Sequence, residues 1–239
     1  MLLSRHSDEL VALRWLSSFV AEISSYGCAL FSSIYIIQMD IYIIIMYLIS
    51  EPHMETNDRK MFFRYLQNTK VYFEYGSGGS TYQASLRKNI KKIYSVESDV
   101  ICLFELKQII RHPNINYIYN EMDTRVMTWG NPGENATEIQ KKRYSNHIKE
   151  LSKEEQDSVD LVLIDGRFRV ACCLKCYDII KDDCLIVFDD FLDRPKYHIV
   201  LDFFDIVEQT LDNRMVILKK KTNVNIPQEL IEEYELNHE

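Results

Sequence analysis

The chain has 239 residues, of which 46% are hydrophobic and 27% charged. It is long enough to bury a sizeable core and too apolar to be disordered. Its formal net charge of −8 argues against a general nucleic-acid binder, because affinity for phosphate backbones comes from Lys and Arg, although a local basic patch is compatible with it. The six cysteines, Cys28, Cys102, Cys172, Cys173, Cys176 and Cys184, lack the dense spacing of a disulfide scaffold, so a reducing compartment is expected.

Ser7 can cap a helix over 8–23 whose Leu10, Leu13, Val20 and Ile23 share a face. Residues 28–49 form an apolar run long enough to cross a bilayer. Asp40 sits near its middle, at a cost of about 2.5–3.5 kcal/mol that the surrounding isoleucines can offset. Two readings of 28–49 stay open: a membrane anchor, or a segment buried on the domain. If it spans, Arg59, Lys60, Arg64 and Lys70 follow it against Arg5 and Arg14 before it, which places the following domain in the cytosol.

After Glu51-Pro52 the pattern alternates. A helix is expected from Asn57 or Asp58 to 68, then a strand over 70–75, a helix over 81–89, a strand over 92–97, a helix over 99–110 and a strand over 115–119. A loop holding Trp129-Gly-Asn-Pro-Gly133 leads to a polar helix over 138–151. Strands over 159–165 and 184–189 are continuous apolar runs, as in strands buried on both faces. A helix over 170–180 separates them. It carries Cys172, Cys173 and Cys176, which lack a second ligand pair for zinc and read as small apolar packing. Pro195 opens a helix to about 210, whose Phe203-Phe204 and Ile206-Val207 read as core contacts. A strand over 215–219 and a helix over 227–236 complete the chain.

Strands alternating with helices predict an α/β, Rossmann-like, doubly wound and mainly parallel sheet with helices on both faces. The expected organisation is an N-terminal hydrophobic extension over 1–51, the Rossmann-like domain over 52–225 and a helical tail over 226–239. Ligands of such sheets bind beyond the carboxyl ends of the strands, and acids stand at nearly all of those ends: Glu74, Glu97, Asp123, Asp165 and Asp189-Asp190. Glu74-Tyr-Gly76-Ser77-Gly78-Gly79 is a turn that lets backbone approach a ligand closely. Glu97, about twenty residues on, suits ribose hydroxyls. A nicotinamide dehydrogenase is disfavoured, since Thr81 stands where G-x-G-x-x-G needs its third glycine.

The turn, Glu97, Leu163-Ile-Asp-Gly-Arg-Phe-Arg-Val-Ala171 and Arg194-Pro-Lys-Tyr-His198 together resemble class I S-adenosylmethionine-dependent methyltransferases over about 52–221. They resemble more narrowly a poorly characterised methyltransferase-like group. The resemblance implies that Glu74, Gly76, Ser77, Gly78 and Gly79 line the methionine part of S-adenosylmethionine, that Glu97 takes the ribose and that Asp123 lies near the adenine. Asp165, Asp189 and Asp190 resemble the acids with which metal-dependent O-methyltransferases hold a divalent ion, for which Mg²⁺ is the expected match. The alternative is an orienting acid at Asp165 and a turn cap at Asp189 or Asp190.

Arg167, Arg194 and Tyr197 are candidates for binding an anionic substrate, Arg167 and Arg194 through their planar guanidinium forks. His198 is a candidate general base, with Asp165 as its catalytic companion. Each Arg can equally pair with a neighbouring Asp, and His198 can be a polar residue in a helix turn. The expected activity is O-methylation of a small polar molecule, with no nucleic-acid partner. The alternative is a non-catalytic binding protein on the same fold, tethered to a membrane if 28–49 spans.

Overall fold

The computed structural model describes residues 50–125, 128–211 and 214–238. The segment 28–49 lies outside them, and among the described residues no helix is long and apolar enough to cross a membrane. Residues Pro52–Glu239 make one compact unit.

In chain order the elements are α1 (Thr56–Leu66), β1 (Val71–Tyr75), α2 (Gly79–Ser85), β2 (Lys92–Glu97), α3 (Val100–Ile109) and β3 (Ile115–Tyr119). There follow α4 (Glu138–Asn146), α5 (Lys153–Ser158), β4 (Leu161–Ile164), α6 (Arg169–Cys176), β5 (Leu185–Phe188), β6 (Phe204–Gln209), β7 (Val216–Lys220) and α7 (Gln228–Tyr234). Short 3₁₀ turns occupy His147–Glu150 and Pro195–Asp202. Side chains set several helix starts. Asp99 accepts from the amides of Ile101 and Cys102 to open α3, and capping boxes at Thr137/Gln140 and Ser152/Glu155 open α4 and α5.

The strands form a seven-stranded sheet in the order β3-β2-β1-β4-β5-β7-β6. Pairings from β3 through β5 are parallel, and β7 runs antiparallel to both β5 and β6. The Rossmann-like expectation holds. The apolar runs are divided by strand alternation. Phe73, Tyr75, Val162, Ile164, Ile186 and Phe188 face a core shared with α4, α6 and α7. Tyr72, Ile93, Leu161, Leu163, Val187 and Ile217 face one built on α1. The cysteines of α6 are buried and free, as small core residues.

The helix expected over 195–210 is corrected. A 3₁₀ turn ends at Asp202, and Phe204–Gln209 is an edge strand with alternating burial. Phe204 still reaches the core, but from a strand. The chain's C-terminal end packs on α6, where Ile231 enters the core and buried Lys175 pairs with Glu235.

Candidate cofactor-binding site

The β1–α2 turn lies at the carboxyl edge of the sheet. Gly76 has φ +94°, and a Cβ there would fall 2.8 Å from the Gly166 backbone in the β4–α6 turn. Gly166 is equally confined, because a Cβ on it would meet the Tyr144 hydroxyl and Gly76 N. Two glycine turns therefore touch backbone to backbone, held by Asp165 N–H to Tyr75 O at 3.0 Å, while Gly76 N–H to Val96 O at 3.0 Å ties the first turn to β2. Gly78 differs: among the described residues, a Cβ there would meet nothing within 4 Å. Its face opens onto the space beyond the strand ends.

Two buried carboxylates carry the turn. Glu74 accepts from the hydroxyls of Tyr72 (2.9 Å), Ser80 (2.7 Å), Ser95 (2.6 Å) and Thr81. The Thr81 hydroxyl in turn accepts from Gly78 N–H at 2.9 Å. Burial pushes the Glu74 carboxyl up to about 7, against the downward pull of those four hydroxyls. Fully buried and saturated by protein hydroxyls, Glu74 cannot line a ligand as expected; it positions the turn from beneath. Glu97 accepts from Ser77 N–H at 3.0 Å and from Ser98 and Asp99 N–H at 2.7 Å each. Burial pushes it too up to about 7, with those amides pulling it down. Ser77 links the two acids, its amide on Glu97 and its hydroxyl 2.5 Å from that of Ser95.

The loop after β3 folds over this edge. Asp123 accepts from Asn135 N–H through its carboxylate at 2.9 Å and from Gly133 N–H through its carbonyl at 2.7 Å. Its carboxylate therefore closes its own loop rather than facing an adenine. Gly130, at φ +71°, lies against Ser98 and Glu97. Arg167 anchors the loop by donating to Trp129 O at 3.0 Å and Asn131 Oδ1 at 2.8 Å. Sequence reading missed Trp129, whose exposed ring stands 5.3 Å from that of His53. Its Gly-Asn-Pro-Gly context signals a turn without saying where the turn lands.

The later acids meet guanidinium groups. Buried Arg169 lies 3.1 Å from Asp165 and 3.5 Å from Asp190, and donates to the carbonyls of Gly166 and Asp189. Asp190, in the left-handed region at φ 56°, also takes Arg194 at 2.7 Å and Arg214. Burial alone would raise Asp190, but Arg169, Arg214 and Arg194 outweigh it and hold the carboxyl below its usual range. Asp165 goes the other way: burial raises it, the Asp190 charge adds to the rise, and Arg169 offsets part of it. Asp189 is buried, its Oδ1 has no hydrogen-bond partner among the described residues, and burial beside Asp165 and Asp190 raises it well above the carboxylate range.

This acid cluster does not fit a divalent ion. A cation there would stand beside Arg169, Arg194 and Arg214, with Asp189 favouring its neutral form, and no group of three ligating side chains occurs among the described residues. The expected Mg²⁺ site at Asp165, Asp189 and Asp190 is corrected to an ion-pair network. Tyr197 is corrected as well: its ring is buried against Phe188 and its hydroxyl accepts from Arg194 at 3.2 Å. Arg167 and Arg194 likewise serve protein partners. The Nε2 of His198 lies 3.2 Å from Phe191 O.

No family model matches the chain, and no curated protein matches its sequence. Solved structures do match its fold. A methyltransferase-like protein from Silicibacter pomeroyi is 24% identical with a TM-score of 0.66, over 77% of this chain and 95% of that one. The fold is that of a class I methyltransferase. A methyltransferase from Geobacter sulfurreducens is more distant, at 10% identity and a TM-score of 0.44 over 86% of this chain and 98% of that one. In the methyltransferase fold of this chain, the glycine turn and Glu97 stand at neighbouring ends of β1 and β2, and Asp165 ends β4 beside them.

Proposed function

We propose that the protein is an S-adenosylmethionine-dependent methyltransferase that acts on a hydroxyl of a small polar molecule. The observation that carries this reading is the open face of Gly78 beside the amide-bound Glu97. Backbone there can approach a methionine-like chain, and Glu97, with amides on three of its roughly four acceptor sites, keeps capacity for one ribose hydroxyl. Bound cofactor supplies an electrophilic methyl on a sulfonium. Asp165, raised by burial and partly open to solvent, is suited to take the acceptor's proton as the O–C bond forms and the S–C bond breaks, since a base titrating nearer neutrality is the more effective. His198 is the alternative base, through the ring nitrogen that does not face Phe191.

A second reading, a binding protein that keeps the fold without transferring methyl groups, draws on the closeness of Gly130 to Glu97, which covers part of the ribose position. Incubation with methyl-labelled cofactor and a panel of hydroxylated metabolites separates the two. Label recovered as an O-methyl ether supports transfer. Cofactor binding with no labelled product supports the second reading. A cytosolic setting belongs to the same proposal; it rests on the unspaced cysteines of the sequence.

A further inference from the structure

The two edges of the sheet are unlike. β6, at one edge, is guarded against pairing with other chains. It carries Asp205 and Glu208, Glu208 pairs with Arg64, and its register breaks between Ile206 and Glu208. β3, at the other edge, reads Ile115-Asn-Tyr-Ile-Tyr119, with no charge, no proline and an unbroken register against β2. Among the described residues no strand pairs with its outer side.

The main-chain groups on that outer side follow from the ladder. Ile93 N–H donates to Asn114 O, and Asn120 N–H donates to Glu97 O. The even-numbered residues therefore face β2, and Ile115, Tyr117 and Tyr119 turn N–H and C=O away from it. An exposed stripe of α3 runs beside them. Lys107 Nζ lies 5.5 Å from the centre of the Tyr117 ring, and Phe104 and Val100 continue the same helix face. Val100 is 56% exposed, Phe104 63% and Tyr119 39%. Charge divides by end: Arg111 precedes β3 and Glu121 follows it, both exposed. Among the described residues neither is in an ion pair.

We propose that β3 is the interface of a twofold dimer of this chain, in which the strand pairs antiparallel with its own copy about Tyr117. The edge is self-complementary in that register. Tyr117 stands opposite Tyr117, and Ile115 opposite Tyr119, so outward groups meet outward groups and each pair exchanges its main-chain bonds. The antiparallel sense brings Arg111 of each copy level with Glu121 of the other. Within one chain the length of β3, roughly 17 Å, keeps the two apart. A strand from a different protein meets the same main-chain groups, but a second copy already supplies the opposed charges that fix sense and register. Val100, Phe104 and Tyr119 of both copies leave water at the same contact. Lys107 stays exposed, its stem on Tyr117 and its ammonium in water. One short strand and one helix stripe a side make a small interface, on the order of 1,200 Å² in total, so micromolar association is expected.

Sedimentation velocity of the full chain from about 1 to 100 µM tests this, with amide hydrogen exchange over Ile115–Tyr119 as a second readout. Wild type is expected to pass from monomer to dimer, with slower exchange of the Tyr117 and Tyr119 amides at high concentration. Phe104→Glu, at an exposed position, is expected to weaken dimerisation at least about tenfold with an unchanged thermal midpoint. Arg111→Glu and Glu121→Arg should each weaken it severalfold, and the two together should return it to within about threefold of wild type. A chain that stays monomeric throughout the range overturns the proposal. A dimer indifferent to Phe104→Glu overturns it too, because the contact then lies elsewhere, 28–49 included. A double exchange no better than the single variants contradicts the antiparallel register and overturns it as well.

Discussion

Gly76 and Gly166 meet backbone to backbone, 90 residues apart in sequence, so that neither turn has room for a side chain at the contact. The glycine turn of β1 is thereby braced against the acid-bearing end of β4. Gly76→Ala combines a left-handed φ with a backbone clash and is expected to destabilise the domain by at least about 2 kcal/mol. Gly78→Ala meets open space and should leave stability within about 0.5 kcal/mol while weakening cofactor binding. Urea denaturation of the two variants checks the contrast; equal loss in both would sink it.

Glu74 and Glu97 make stability fall as pH rises through the neutral range. Each carboxyl is raised from 4.5 to about 7 in the folded chain. Between those values the unfolded chain has released protons that the folded chain retains. Folding is therefore favoured below about 4.5 and loses ground up to about 7, where the loss levels off. At about 1.4 kcal/mol per pKa unit, each acid costs roughly 3 kcal/mol above neutrality. Asp190, held low, acts in a separate window: its contribution is present above its unfolded pKa near 4 and is lost as pH falls through its depressed folded value. Denaturation at pH 5, 6, 7 and 8 should show declining stability, with a shallower slope in Glu74→Gln. A stability that climbs over that range would contradict the assignment.

Arg169 is the keystone of the acid network, with Asp165, Asp190 and two carbonyls on one buried guanidinium. Arg169→Met leaves those acids without their shared cation. Removing one partner of a buried pair typically costs about 3–5 kcal/mol. The loss should appear in the thermal midpoint and should not be restored by added Mg²⁺. Rescue by the ion would reinstate a metal site.

Asp165→Asn is expected to lower methyl transfer about 10²–10⁴-fold, as loss of a general base does, with cofactor affinity changed less than threefold. His198→Ala should have the smaller effect. The reverse ranking would move the base to His198.

Much of this architecture is legible in the sequence because its signals are local. The buried strands announce themselves as apolar runs, and acids mark their carboxyl ends. β6 was hidden because Val200, Phe203 or Phe204 and Val207 also satisfy a helical spacing. The strand is irregular besides, with a register shift between Ile206 and Glu208. Tertiary pairing with β7 decides the matter. The site was harder to read. Glu97 stands where the turn-plus-acid pattern points, but the hydroxyl shell of Glu74, the grip of Arg169 on Asp165 and Asp190, and the landing of Trp129-Gly130 beside Glu97 are contacts between distant segments. Residue type and spacing do not encode which partner a buried carboxylate finds.

The most direct test is calorimetric titration of the full chain with S-adenosylmethionine, for wild type and Glu97→Ala. Saturable one-to-one binding by wild type is expected. The variant should bind at least tenfold more weakly, with its circular dichroism spectrum retained. No binding by wild type, or equal affinity in the two proteins, would contradict placement of the cofactor between the glycine turn and Glu97.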